Sequence, residues 1–250
     1  MQTDKPVTQL STKKRRIVLL PIGSCEQHGP YLPIDTDLRI AQLIANKVAC
    51  SFDENETLLL PPIPFSSSWE HKGIGTISLN ISTLGAILHD IARSLKNWNM
   101  PMLLILVNWH GGNSVLDSLA TEITATENIP TAAIGAISIA TQIWQEKTNS
   151  ATMDIHAGAL ETSIIGAYWP HLLSGINISS NHKSLDIGNI QIQTAIQALG
   201  IHQITTSGIW GDPENANTSK GEETISLTTT EIKREIEELR ALVENSEEGN

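Results

Sequence analysis

The chain has 250 residues, 40% of them apolar, with only two Phe and two Tyr, and a formal net charge of −11 at pH 7. That length sustains one large α/β core, packed here with aliphatic rather than aromatic side chains. The acidic balance, relieved by a single basic cluster at Lys13-Lys14-Arg15-Arg16, argues against nucleic acid as a partner. The basic quartet reads as a solvated entry to the first strand. Cys25 and Cys50 make neither a disulfide framework nor a zinc pattern. No stretch approaches the ~18–20 apolar residues of a membrane span, and the polar first dozen residues carry no apolar signal core. A cytoplasmic location with no membrane partner is expected.

Ile17 to Ile22 is a short apolar run of the kind that a parallel sheet buries on both faces. It ends at Gly23, and within fifteen residues come Glu26, His28, Asp35 and Asp37. Thr36 to Val48 has helical apolar spacing, with Thr36 or Asp37 near the cap. Leu58 to Pro64 reads as a second strand ended by prolines, and a Ser- and Gly-rich loop carrying Glu70 and His71 follows. Leu84 to Trp98 is predicted as an amphipathic helix. Met102 to Val107 is the most apolar strand and runs straight into Asn108-Trp109-His110-Gly111-Gly112-Asn113. Ser114 to Glu127 reads as a helix and Thr131 to Ile139 as a further buried strand. This alternation predicts an α/β fold with three α/β/α layers and a mostly parallel central sheet.

A helix opens within Asp154–Ser163 and runs to about Tyr168, while residues 171–207 are poorly periodic. Gly208-Ile209-Trp210-Gly211-Asp212-Pro213 is rich in turn residues. Lys220 to Val243 is a long charged helix with Ile225, Leu227, Ile232, Ile236, Leu239 and Leu242 on one side. No repeat, linker or shift in composition divides the chain. One domain over 1–250 is expected, with a polar segment at 1–16 and a polar tail at 246–250.

Three segments carry chemistry. Carboxylates and an imidazole crowded at a strand's C-terminal end suit a divalent metal, although a polar loop explains the first segment equally well. His110 follows a buried strand, with Gly111-Gly112 leaving room for close approach and Asn108 and Asn113 suited to holding the loop. Taken alone, His110 also fits a structural role. Glu161, one turn into its helix, can point back to the same sheet edge or simply meet the helix dipole. Together Glu26, His28, Asp37, His110 and Glu161, with His156 nearby, suffice for a two-metal site that activates a water and polarises a carbonyl. Short Asp37 is the choice for a bridging ligand.

E-Q-H-G-P-x-L-P with an Asp nine residues after its His, then N-x-H-G-G-N, H-A-G-x-x-E-T-S and G-x-x-G-D-P-x-x-A, follow one another over about 17–225. In order and spacing these motifs resemble the creatininase family of metal-dependent amidohydrolases. The loop E-H-K-G-I-G-T also resembles a segment of that family. The resemblance implies two divalent ions per chain (zinc, manganese or iron) and hydrolysis of an amide C–N bond. It also implies a closed homo-oligomer, typically a hexamer. Carried onto this chain, Glu26, His28, Asp37 and His110 fall on metal ligands, with Asp37 bridging and Glu161 as the remaining ligand. His156 falls on the family's catalytic histidine, which passes a proton to the leaving nitrogen.

Three departures bear on substrate. Tyr31 stands where the family usually has His, Gly112 where creatininases proper have Glu, and Asp35 where Gly is common. The chain is thus more similar to the branch of mycofactocin-type peptide trimmers and deformylases, and a small amide, formamide or short modified peptide is the expected substrate. The alternative is a non-catalytic relative that serves as a binding or assembly subunit. Tyr31, Glu70, His71 and Trp109 are assigned to the substrate pocket, with Trp109 and Trp210 flanking its mouth or packing between subunits. Cys25 is read as buried packing, and His89, His171, His182 and His202 as surface residues.

Overall fold

A computed structural model describes residues 16–149, 154–179 and 182–248. Strands β1 (Arg16–Ile22), β2 (Thr57–Leu59), β3 (Met102–Asn108) and β4 (Thr131–Gly135) form an all-parallel sheet in the order β2-β1-β3-β4. β1 and β3 pair along their whole length, from Arg16 opposite Met102 to Ile22 opposite Asn108. Both are buried on both faces, which is why their sequences are unbroken apolar runs rather than alternating ones. Alternate residues part to opposite sides. Ile17, Leu19, Leu103 and Ile105 pack with α1 (Thr36–Cys50), α4 (Ala136–Thr148), α5 (Ala159–Tyr168) and α8 (Thr218–Glu248). Val18, Leu20, Leu104 and Leu106 pack with α2 (Ile81–Lys96) and α3 (Val115–Glu127). The three-layer α/β/α fold is therefore as the alternation predicts.

Four expectations change in detail. Of the basic quartet only Arg16 lies within the described residues, and it is buried, because its backbone is already in the ladder, with its N–H on the Pro101 carbonyl. β2 stops at Leu59, although Leu60 and Ile63 still donate to β1 carbonyls. Pro61 and Pro62 have no N–H to continue the ladder. Residues 136–139, read as the end of a strand, open α4 instead: Ala136, Ala140 and Trp144, four apart, bury one helical stripe. The aperiodic 171–207 stretch contains α6 (Ile192–Leu199) and α7 (Ile201–Ile204), separated by Gly200 at φ +73°. Ile225, Ile232 and Ile236 of α8 are fully buried, as their spacing predicts, whereas Leu242 is 67% exposed near the helix end.

From β1 the chain moves to β2 on one side, and from β3 to β4 on the other. The crevice beyond the C-terminal ends of β1 and β3 is thus the topological switch point, the usual ligand position in open α/β sheets. Among the described residues no helix is long and apolar enough to cross a membrane.

Candidate metal centre

β1 delivers Ser24, Glu26 and His28 to this crevice. A Cβ on Gly23 would lie 2.4 Å from the backbone of Leu38, so only glycine lets the first turn of α1 close over the strand end and bring Asp37 beside Glu26. β3 delivers His110, whose loop is tied by Asn108 donating to the His110 carbonyl (2.9 Å) and Asn113 donating to the Asn108 side chain (2.9 Å). α5 delivers Glu161. One of its oxygens accepts the Trp109 indole N–H (3.0 Å) and the other the Ala157 amide (2.8 Å). Ala157 sits at φ +53°, a left-handed conformation costly for a residue with a Cβ, and the Glu161 bond helps hold it.

Asp37 lies between two imidazoles, with Oδ1 3.3 Å from His28 Nε2 and Oδ2 3.1 Å from His110 Nδ1. His110 Nδ1 is also 3.2 Å from Glu26 Oε2, and His28 Nε2 is 3.8 Å from Glu161. The other nitrogens are anchored outward: His28 Nδ1 donates to the Glu26 carbonyl (3.1 Å), and His110 Nε2 lies 3.1 Å from both the Ser67 carbonyl and Glu70. All five residues are buried. Burial works against charging His28 and His110, yet the surrounding carboxylates push both well above the ordinary imidazole range. The same imidazoles hold Asp37 well below the usual carboxylate range.

His28 Nε2 and Asp37 Oδ2 are buried and lack a hydrogen-bond partner. Inward-facing nitrogens and carboxylate oxygens that converge without hydrogen-bond geometry are what a shared cation satisfies. An N/O donor set of this kind fits zinc, manganese or iron. Among the described residues the ligand atoms of Glu26, His28 and Asp37, of His28, His156 and Glu161, of Glu26, Glu70 and His110, and of Glu26, His71 and His156 each fall within 4.8 Å of one another. The donor set therefore fits the metal that the resemblance implies.

His156 is also buried here. Its Nε2 donates to the Gln27 carbonyl (2.8 Å), which leaves the Nδ1 lone pair 3.8 Å from Glu26. Burial, with His28 beside it, lowers its pKa. Outside these groups opens a cleft of about 600 Å³. Its walls include Glu70, His71, Trp69, Ile137 and Ile196, and among the described residues no Lys or Arg.

The structure thus brings Glu26, His28, Asp37, His110, Glu161, His156, Glu70 and His71 together. Two pocket assignments need correction. Trp109 is fully buried beneath the site, where it bonds Glu161, and does not reach the cleft. Tyr31 is not among the cleft's lining residues; its hydroxyl accepts the Ser179 amide (3.1 Å) and its ring meets His182 edge-on. Trp210 is buried as well, backing His156 through paired backbone bonds rather than flanking a mouth. His202, read as a plain surface residue, lines the cleft. Cys25 is buried packing, paired through its backbone with Ile77.

Two residues escaped the sequence reading. Asp154 accepts the Leu160 amide (2.6 Å) at the start of α5; burial, with Glu161 and Asp212 nearby, pushes its carboxyl up to about 7. Gln27 sits between His71 and His156, and its place between Glu26 and His28 in one motif was the available signal.

This fold and this donor set are those of an α/β protein with a buried group of residues able to hold a divalent metal. The chain matches the creatininase (creatinine amidohydrolase) family over residues 2–236, and it belongs to that family of amidohydrolases. It is 30% identical to the mycofactocin precursor peptide peptidase of Mycolicibacterium smegmatis over 216 residues, covering 82% of this chain and 78% of that one. The peptidase of the same name from Mycobacterium ulcerans is 31% identical over 212 residues, with the same shares covered. A solved creatininase variant in complex with creatine shares the fold, at a TM-score of 0.77 and 19% identity over 94% of this chain and 96% of that one.

Proposed function

We propose that the protein cleaves an amide bond in a short modified peptide, with two divalent ions held by Glu26, His28, Asp37, His110 and Glu161 and with Asp37 between them. The observation that carries this reading is the convergence of His28 Nε2 and Asp37 Oδ2, both buried without a hydrogen bond, with Glu26, His110 and Glu161 at the sheet's switch point. When bound, such ions acidify a water and polarise a carbonyl. The chain's own residues do the rest. His156, fixed through Nε2, takes a proton at Nδ1 and returns it to the departing nitrogen. Trp109 and the Ala157 amide fix the orientation of Glu161. Glu70 and His71 line the wall beside the metal residues, and part-exposed Glu70 offers an acceptor to a substrate N–H. A wall that among the described residues carries no Lys or Arg favours a neutral amide over an anionic group. The peptide-cleaving relatives support a peptide rather than creatinine as substrate.

A closed homo-oligomer belongs to the same proposal. Trp69, Ile74, Ile77 and Ile81 stand exposed along one stretch beside the cleft, which supports it. Light scattering should then return a multiple of the 27.2 kDa chain mass.

The test of function is a panel of short peptides and small amides assayed by mass spectrometry for a new amine and carboxylate. Cleavage in the parent that is lost on chelation and restored by zinc or manganese is expected. A metal-loaded protein that cleaves no member of the panel would favour a binding subunit.

A further inference from the structure

The Gln27 side chain meets four groups at the centre of the site: the Gly29 amide, the Gly208 carbonyl, His71 Nδ1 and, at 3.3 Å, His156 Nε2. The proton on His156 Nε2 is itself directed to the Gln27 carbonyl, so that the two amide hydrogens serve Gly208 and His71. Its side-chain oxygen accepts the Gly29 amide (3.0 Å), and its nitrogen donates to the Gly208 carbonyl (3.3 Å). One backbone donor and one backbone acceptor thus fix which end of the amide is which. The nitrogen end also lies 2.9 Å from His71 Nδ1. An NH₂ group can only donate there, so Nδ1 is the bare nitrogen and the neutral ring of His71 carries its proton on Nε2. That Nε2 lies 3.3 Å from Glu26 Oε1. The loop at Gly208 closes tightly on the amide, since a Cβ there would fall 1.8 Å from the Gln27 oxygen.

We propose that Gln27 is a positioning residue that sets the tautomer of His71, so that His71 holds the Glu26 carboxylate as a hydrogen-bond donor and stays out of the metal's coordination. The inference rests on the reading of Glu26 as a metal-holding carboxylate. Nitrogen Nε2 of a neutral imidazole can ligate only if the proton moves to Nδ1, and the Gln27 NH₂ group opposes that move. Of the imidazoles grouped around Glu26, His110 turns a nitrogen inward to Asp37 while its other nitrogen is anchored outward; His71 is anchored the opposite way. One amide therefore separates a ligand from a ligand holder.

Two measurements test this on the full chain. Nitrogen-15 spectra of histidine-labelled, metal-free protein, with His71 assigned by His71→Asn, should show His71 with a bare Nδ1 and a protonated Nε2. Gln27→Glu, of nearly the same shape but able only to accept, should exchange the two. A protonated Nδ1 in the parent, or no exchange in Gln27→Glu, would overturn the proposal. The second measurement is Zn²⁺ affinity by competition with a chromophoric chelator. Gln27→Leu and His71→Leu should each weaken it about 10–100-fold, His71→Gln should keep most of it, and the double Leu variant should be no weaker than His71→Leu alone. Additive losses would assign Gln27 a merely structural role and contradict the proposal. Should Gln27→Leu fail to fold, Gln27→Glu carries the same comparison. If the parent binds no Zn²⁺, the metal reading fails, and the spectra still decide the tautomer.

Discussion

At the scale of single residues, the site is a set of acceptors and imidazoles whose orientations are fixed by groups that never meet substrate. Trp109 is the clearest case: its indole reaches only Glu161, and Trp109→Phe removes that donor while keeping most of the packing volume. The variant should lose about 10–100-fold in kcat/KM, with about 1–3 kcal/mol of stability. An unchanged kcat/KM would show that Glu161 needs no such support. Asp154 offers a second test. Its carboxyl, at about 7 in the folded chain, lies above the ordinary value of ~3.9, so the folded state holds this proton more tightly than the unfolded one. Its contribution to stability therefore falls as pH rises from ~4 to ~7 and levels off above. Asp154→Asn cannot ionise and keeps an oxygen for the Leu160 amide. Chemical denaturation of metal-free protein should show the stability difference moving in the variant's favour between pH 5 and 7 and staying flat beyond. A pH-independent difference would contradict the assignment.

At the scale of elements, one contact places the site. α1 rests on Gly23 so closely that Gly23→Ala must push backbone against backbone, and overpacking of this kind costs about 1–3 kcal/mol. Because Asp37 rides on the first turn of α1, the same substitution should weaken metal binding. By contrast, Ile232→Ala, far along α8, should cost about 2–5 kcal/mol while leaving metal content per folded chain unchanged. The contrast between the two variants, read by denaturation and metal analysis, tests whether α1 alone couples packing to the site. The same distinction explains what the sequence made legible. β1, β3 and the buried stripe of α8 announce themselves through apolar pattern, and the residues of the donor cluster through metal-ligand chemistry at strand ends. Trp109 misled because an aromatic beside a motif His looks like a pocket wall; which way an indole turns depends on a partner 52 residues away. Gln27 was passed over because an amide has no chemistry of its own, and its work appears only when three separated segments meet. α4 was missed because Ile137 and Ile139 prolong the strand's apolar alternation beyond Gly135, where the helix begins.

At the scale of the whole molecule, a parallel sheet with helices on both faces leaves one crevice where strand order reverses, and three buried acids lie there. Glu26, Asp37 and Glu161 lie together there with only the His28 and His110 imidazoles between them, and among the described residues the cleft wall carries no Lys or Arg. A bound cation would relieve the crowding of three buried carboxylates. Chelation should accordingly lower thermal stability as well as activity, because an ion that binds only the folded state stabilises it by mass action. The most direct test is metal content per chain in parent protein and Glu26→Gln, each purified without added metal and again after incubation with zinc or manganese. The account predicts about two ions per parent chain and a marked loss in the variant. No ion in the parent under either condition, or two retained in Glu26→Gln, would contradict it.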